Sequence, residues 1–490
     1  MRRIVMVGCL VLFLLVLKLP GLDLPFHQGE WKAARFAVEG ATVVEPYFHG
    51  SPLAEFLFSA AGATLQPDYF RLLPLFLTVL SYVLLYVIVA ARAGARAALL
   101  SLFLFGTVAY GALGATMFDL DGAILPFFFL LAVFAYDRMA RGGRSRIPFA
   151  LLLILSIGAL FSLVVPRTSA LVFDVSRDWG QIAVQTGRVL LYVGPLLYAL
   201  AFVTGDVFDR TRVFFAYLTF AFLFYFVLFD FSTGGLDKCL LLIVAPLCAI
   251  IGVTLATQIS RISDLRPAYC AALLLGGIGL LALNFLPQEA LSLYPKSAWV
   301  KEILGLHWNI LIPFVGGSGP AGFYVSFLFI AASFLVAGGI TLFALIRPQW
   351  RRQLVTALLF LSILYAGIFT EELYFGKING STRDVLNDSI EYIRQSDKVT
   401  SVITHGATGA FELWQMGKFA ERFYAVPQYE ERYKELFSTF RGHYLVVDIP
   451  RWDQHSFYED FFSHCASTFT SASGVIRGHV YECPVVLKKP

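Results

Sequence analysis

Charge is what this sequence has least of. Only 15% of its 490 residues are Asp, Glu, Lys or Arg, where a soluble domain carries roughly 25%, and 58% are hydrophobic. With a mean hydropathy of +0.70, the chain is not an ordinary soluble enzyme, and most of it belongs to one polytopic membrane body. No basic stripe tracks a phosphate backbone and the net charge is only +4, so nothing points to nucleic acid as a partner. Of the six cysteines, Cys9, Cys239, Cys248 and Cys270 sit in apolar runs, where a thiol behaves as a small hydrophobe. Only Cys465 and Cys483 lie in polar sequence. There is no internal repeat of solenoid period.

Apolar runs are plentiful. Met1-Arg2-Arg3 precedes a run from Ile4 to about Pro20 with no small-residue cleavage site after it, which reads as an uncleaved first span. Further runs long enough for a hydrocarbon core of roughly 30 Å are 72–91, 97–117, 123–136, 147–165, 189–204, 213–229, 239–257, 268–287, 323–346 and 353–369. The expected architecture is a polytopic α-helical membrane body of about eleven transmembrane helices over residues 1–370. Threading it from a cytoplasmic N-terminus puts Arg92, Arg96, Arg138, Arg141, Arg144, Arg146, Arg210, Arg212, Arg261, Arg266, Arg347, Arg351 and Arg352 on one side, as the positive-inside rule requires. Residues after about 370 then lie on the outer side.

Three long connections face that same outer side: 21–71, 166–188 and 288–322. The first is amphipathic, with Trp31, Phe36, Phe48, Leu53, Phe56 and Phe58 at intervals, and predicts short interfacial helices. The third carries the hinge-like Gly316-Gly317-Ser318-Gly319-Pro320 near His307 and Trp308. Residues 371–490 alternate helix and strand signals and predict a soluble α/β domain with a mostly parallel sheet. Cys465 and Cys483 fall near its last strands on the oxidising side, where they are candidates for a disulfide.

Few ionisable residues remain to carry chemistry. Glu30, in His27-Gln28-Gly29-Glu30, follows the first span by a few residues. An acid next to a membrane cavity is costly to keep and is a functional candidate; the structural alternative is a wet pair with Lys32 or Arg35. Asp119 and Asp121, in Phe118-Asp119-Leu120-Asp121-Gly122, sit where two spans meet on the outer side. They are candidates for orienting an acceptor or a cation, or simply for a solvated turn. Lys238, at the outer mouth of a span, is placed to attract a phosphate, or to snorkel. Arg71 and Arg167 are further outer-side cations.

Several blocks in order resemble the polytopic GT-C glycosyltransferases, specifically the protein O-mannosyltransferase and lipid A aminoarabinose transferase branch. His27-Gln28-Gly29-Glu30 is similar to the acidic motif of that family's first outer loop, and Pro46-Tyr47-Phe48-His49-Gly50-Ser51-Pro52-Leu53 to the proline block after it. Asp119-Leu120-Asp121 resembles the second acidic motif, and Lys238 to Pro246 the basic entry to a later helix. Gly29 stands where the family usually has Asp, and Ser51 where it has Lys.

The resemblance implies an inverting transfer of a sugar from a polyprenyl-phosphate donor to an acceptor hydroxyl on a glycan, lipid or protein, at the outer face of a bacterial cytoplasmic membrane. Glu30 would be the base, with Asp121 and Asp119 orienting the acceptor or a divalent cation such as Mg or Mn; no cofactor is otherwise implied. Lys238, Arg167 and Arg71 would hold the donor phosphate, and His27, His307 and Trp308 the acceptor or a lid. Two other classes compete: a flippase or transporter of lipid-linked glycans, and a non-catalytic membrane sensor or assembly protein. The near absence of charge inside the spans disfavours a transporter, which places ionisable or helix-breaking residues at mid-membrane depth.

Overall fold

The structure is a computed structural model that describes residues 2–27, 29–40, 51–141, 146–168, 187, 190–228, 241–259, 267–292, 301–314, 321–426, 429–449, 451–452 and 456–483. The chain forms two compact units. The first comprises Met1–Asp23, Ala33–Leu280 and Ile330–Thr370; the second comprises Leu24–Lys32, Leu281–Phe329 and Glu371–Pro490.

The first unit is helical. Its helices include Arg2–Val16, Pro52–Thr64, Leu72–Ala93, Ala95–Thr107, Ala109–Ala115, Leu125–Ala140, Arg146–Thr168, Gly205–Leu228, Leu241–Gln258 and Pro267–Ala282. Among the described residues, seven helical segments are long and apolar enough to cross a membrane, so the chain is a multi-pass membrane protein. Ile147, Leu151, Ile154 and Leu155 on one helix and Leu274, Leu275 and Ile278 on another are exposed, an apolar surface that lipid covers and water would not tolerate.

Among the described residues, seven of the eleven expected runs are thus met by helices of spanning length. Ala95–Thr107, Leu190–Phe202 and Leu242–Gln258 are shorter apolar helices. The run 97–117 divides because the chain turns out of the helix at Val108 (φ −59°, ψ 142°) and begins again at Ala109. A side chain at Gly111 would collide with the Phe105 carbonyl, so only glycine permits the fold-back. Residues 194–202 form a 3-10 helix. The run 323–346 starts with a strand, Phe323–Ser326, before its helix at Phe327.

Where the helices Leu72–Ala93 and Leu125–Ala140 end, Asp137 is 1% exposed and takes Arg92 at 2.6 Å and Arg141 at 2.9 Å. Arg141 also donates to the Ala91 carbonyl (3.1 Å). Two of the arginines assigned to one side by the sequence therefore meet on one buried carboxylate. Between residues 21 and 71 the described residues form two α-helices, Gly29–Glu39 and Pro52–Thr64. Ser51 caps the second, its Oγ accepting the Ala54 N–H at 3.4 Å, and Pro52 at the first helical position is pre-set for the turn.

The second unit carries two sheets. Strands β1 (Glu289–Ala290), β2 (Ile310–Phe314) and β3 (Phe323–Ser326) form the smaller, with β1 parallel and β3 antiparallel to β2. The larger has the order β5-β4-β6-β8-β7, from β4 (Val402–His405), β5 (Phe419–Phe423), β6 (His443–Val447), β7 (Ala466–Ser473) and β8 (Ile476–Glu482). Pairs β4/β5 and β4/β6 are parallel, whereas β6/β8 and β7/β8 are antiparallel. The sheet is thus mixed, not mostly parallel, because the last two strands return as a hairpin.

Helix Thr382–Gln395 presents Val385, Leu386, Ile390 and Ile393 to a core with Val402, Leu445 and Val480. An aromatic core of Phe423, Tyr433, Phe437, Tyr444, Tyr458, Phe461 and Phe462 forms a second cluster. Cys465 and Cys483 are joined in a disulfide, as the sequence anticipated.

Candidate functional site

The residues singled out by sequence fall in both units. In the second, Glu30 lies in the first turn of the helix Gly29–Glu39 and is 0% exposed. That burial keeps Glu30 out of water, and Arg35 pairs with Glu39 (2.8 Å). The Glu30 N–H donates to the His27 carbonyl (3.0 Å), which fixes the start of the helix. A helix N-terminus also favours an anion, because the first N–H groups carry the positive end of the macrodipole.

The short segment 24–32 packs on the C-terminal part of the chain. Phe26 meets Phe411 edge-on at 5.0 Å, Trp31 meets Phe419 at 5.5 Å, and the Arg422 guanidinium lies 5.7 Å from the Trp31 ring centre. His27 is buried with Nδ1 3.4 Å from the Thr408 hydroxyl. Burial first, then the neighbouring His405, pushes its pKa down to about 3; a hydrogen bond with the Ala407 backbone opposes this, and Arg422 adds to the depression. His27 is therefore neutral at physiological pH. His405 is held down by burial as well, and its Nδ1–H donates to the Val447 carbonyl (2.8 Å). Thr408, Phe411, Phe419 and Arg422, which hold the segment carrying Glu30, were not anticipated. They lie nearly 400 positions away in sequence, and no local pattern marks them.

In the first unit, Asp119 is 1% exposed and caps a π-helical turn, Leu120–Ile124, its Oδ1 accepting the Leu120 N–H at 2.6 Å. Asp119 itself is therefore not solvated. A side chain at Gly122 would press on Met117 and the Gly114 carbonyl, which explains the glycine that closes the motif. Arg71 is 1% exposed, and its Nη1 donates to the carbonyls of Gly21 (3.1 Å) and Thr116 (3.3 Å). Arg71 and Asp119 thus meet the same buried bend at 116–119, one through Thr116 and the other through its own N–H to the Met117 carbonyl (2.9 Å). Asp121 belongs to the π-helical turn.

His307 is exposed and pairs with Glu302 at 3.0 Å, while the Trp308 indole N–H donates to the Ile303 carbonyl (3.0 Å) and its ring meets Phe327 edge-on. Lys238 and the 316–320 hinge lie outside the described residues, and Arg167 is described only as part of the helix Arg146–Thr168. Among the described residues no group of three or more His, Cys, Asp or Glu is placed to hold a metal ion. Asn379, in the formal sequon Asn379-Gly380-Ser381, is buried. Its amide donates to the Tyr324 carbonyl (3.2 Å) and to Glu372 (3.1 Å), and Ser381 caps the next helix by accepting the Asp384 N–H (3.1 Å). The sequon is spent on structure.

No protein-family model and no curated protein sequence matches the chain. Among solved structures the chain is similar to ArnT from Cupriavidus metallidurans in the apo state, at 15% identity over 100% of both chains with a TM-score of 0.48. It is similar to the same protein bound to undecaprenyl phosphate at 14% identity over 99% of both, TM-score 0.48. It is also similar to an Archaeoglobus fulgidus oligosaccharyltransferase tethered to an acceptor peptide, at 12% identity over 91% of this chain and 69% of the other, TM-score 0.37.

Proposed function

We propose that the chain is an inverting glycosyltransferase that moves a sugar from a polyprenyl-phosphate donor to an acceptor hydroxyl at the outer face of the cytoplasmic membrane. The transmembrane body over 1–370 would be catalytic and the part after 370 extracytoplasmic. The observation that carries this is the complete burial of Glu30 at a helix N-terminus just after an apolar span. A carboxylate is not kept there for solubility. The order of the acidic and proline blocks supports the same reading, as does the Cys465–Cys483 disulfide, a feature of oxidising compartments.

In the proposed step Glu30 takes the proton of the acceptor hydroxyl while that oxygen attacks the anomeric carbon from the face opposite the phosphate. The bond from the anomeric carbon to the phosphate oxygen breaks, its electron pair leaves with the polyprenyl phosphate, and the configuration inverts. General-base catalysis contributes about 10² to 10⁴-fold. Lys238, Arg167 and Arg71 are the cations proposed to stabilise the leaving phosphate. Asp121, with Asp119 beside it, would orient the acceptor. His307 and Trp308 are the proposed lid, and no step is assigned to a cation.

The test is transfer from a labelled polyprenyl-phosphate sugar to an acceptor extract by the purified chain, wild type against Glu30→Gln. A loss of about 10² to 10⁴-fold in kcat with little change in KM is expected. Transfer unaffected by Glu30→Gln would remove Glu30 from the role.

A further inference from the structure

A groove of about 310 Å³ opens on the second unit between β1, the turn joining β7 to β8, and the chain just past β6. Its volume lies at the lower end of small-molecule sites, roughly 300 to 1,000 Å³, which suits one or two sugar rings. Two guanidiniums line it, Arg451 and Arg477, together with Gln288 and Glu289.

The walls are fixed from behind. The Asp448 carboxylate accepts the Arg477 backbone N–H at 2.6 Å and lies 3.9 Å from the Arg451 guanidinium. The Arg451 backbone N–H donates to the buried Tyr324 hydroxyl (3.1 Å), and the Arg451 side chain reaches the Ala290 carbonyl (3.4 Å). On the opposite rim the Val475 N–H donates to the Asn379 carbonyl (2.8 Å).

Two groups in this frame are unspent. Among the described residues the Arg477 guanidinium makes no hydrogen bond or ion pair, and its charge acts at longer range on the Asp448 carboxylate and on His479. Gln288 donates through Nε2 to the Leu283 carbonyl (3.0 Å), which orients the amide, yet its Oε1 is buried with no partner. A guanidinium recognises phosphate or carboxylate through paired N–H donors. An amide oxygen can only accept, so it calls for a hydroxyl donor. A sugar that bears an acidic group supplies both and fits the volume of the groove.

From these contacts we infer that the groove bounded by Gln288, Arg451 and Arg477 is a binding site for an acidic saccharide, one carrying a phosphate or a carboxylate. The inference stands on the groove alone, and its test needs no sugar transfer, so its failure is separate from that of the transferase reading.

The experiment is saturation-transfer NMR and calorimetry on the full chain in detergent micelles, with glucose 1-phosphate, glucuronate, glucose and inorganic phosphate as probes. Saturable binding of both acidic sugars at least tenfold tighter than either glucose or inorganic phosphate is expected. Arg477→Ala, a change at an exposed side chain, should weaken the acidic sugars at least tenfold. Gln288→Met should bring glucose 1-phosphate down to the affinity of inorganic phosphate while leaving inorganic phosphate unchanged. Equal binding of glucose and the acidic sugars, inorganic phosphate as tight as glucose 1-phosphate in wild type, affinities unmoved by Arg477→Ala, or no saturable binding of any probe would each overturn the site.

Discussion

Acidification should loosen the segment that carries Glu30, and His27 sets the amount. Its ring is buried between Thr408 and the Ala407 backbone, with pKa lowered to about 3 by burial, His405 and Arg422. In the unfolded chain the same ring takes a proton near 6.5. Because the folded pKa is the lower, the stabilisation is fully present above about 6.5 and is lost as pH falls toward about 3. At pH 5 the loss is 1.5 units at about 1.4 kcal/mol each, about 2 kcal/mol, and the limit near pH 3 is about 5 kcal/mol. For a unit of this size about 2 kcal/mol corresponds to a fall of roughly 4 to 8 °C in Tm.

The assay is thermal unfolding of the full chain in detergent micelles by tryptophan fluorescence between pH 7.5 and 5. Wild type should lose roughly 4 to 8 °C more than His27→Gln, which cannot take the proton. The variant keeps a shallower slope from His405 and His479, whose pKa values burial also lowers. Since the His27 carbonyl accepts the Glu30 N–H, transfer should fall over the same pH window. Identical slopes for wild type and variant, or an NMR titration of His27 near 6.5, would refute the argument.

Two further outcomes are expected besides the loss of transfer in Glu30→Gln. Replacing Cys465 and Cys483 by Ser opens a loop of 18 residues and should cost about 3 kcal/mol by chain entropy, read as a lower unfolding midpoint of the second unit; wild type purified without reductant should show neither thiol to alkylation mass spectrometry. Asp137→Ala leaves Arg92 and Arg141 facing each other without their shared carboxylate. With Arg141 about a third exposed, solvent screens part of the effect, and a loss of about 1 to 3 kcal/mol is expected in thermal stability; a midpoint equal to wild type would mean the cluster contributes nothing.

The sequence by itself determined the elements whose physics is short-range. The helices Leu72–Ala93 and Leu125–Ala140 follow from apolar runs with arginines toward one end, and β4 and β6 from β-branched and aromatic residues between turn signals. The pairing of Cys465 with Cys483 was legible too, as the only two cysteines in polar sequence, and Glu30 and Asp119 stood out as acids at the ends of apolar runs.

Tertiary structure decided the rest. The break at Val108 depends on how closely Gly111 can approach the Phe105 carbonyl, and a hydropathy window does not record that distance. The antiparallel return of β7 and β8 depends on which edge of β6 was open. Where the segment carrying Glu30 docks was settled by Phe26, His27 and Trp31 finding Phe411, Thr408, Phe419 and Arg422, and the groove at Gln288 by two strands nearly 190 positions away. Hydropathy and capping act over a few residues, but burial belongs to the whole set of neighbours, and those are chosen only when distant parts of the chain meet.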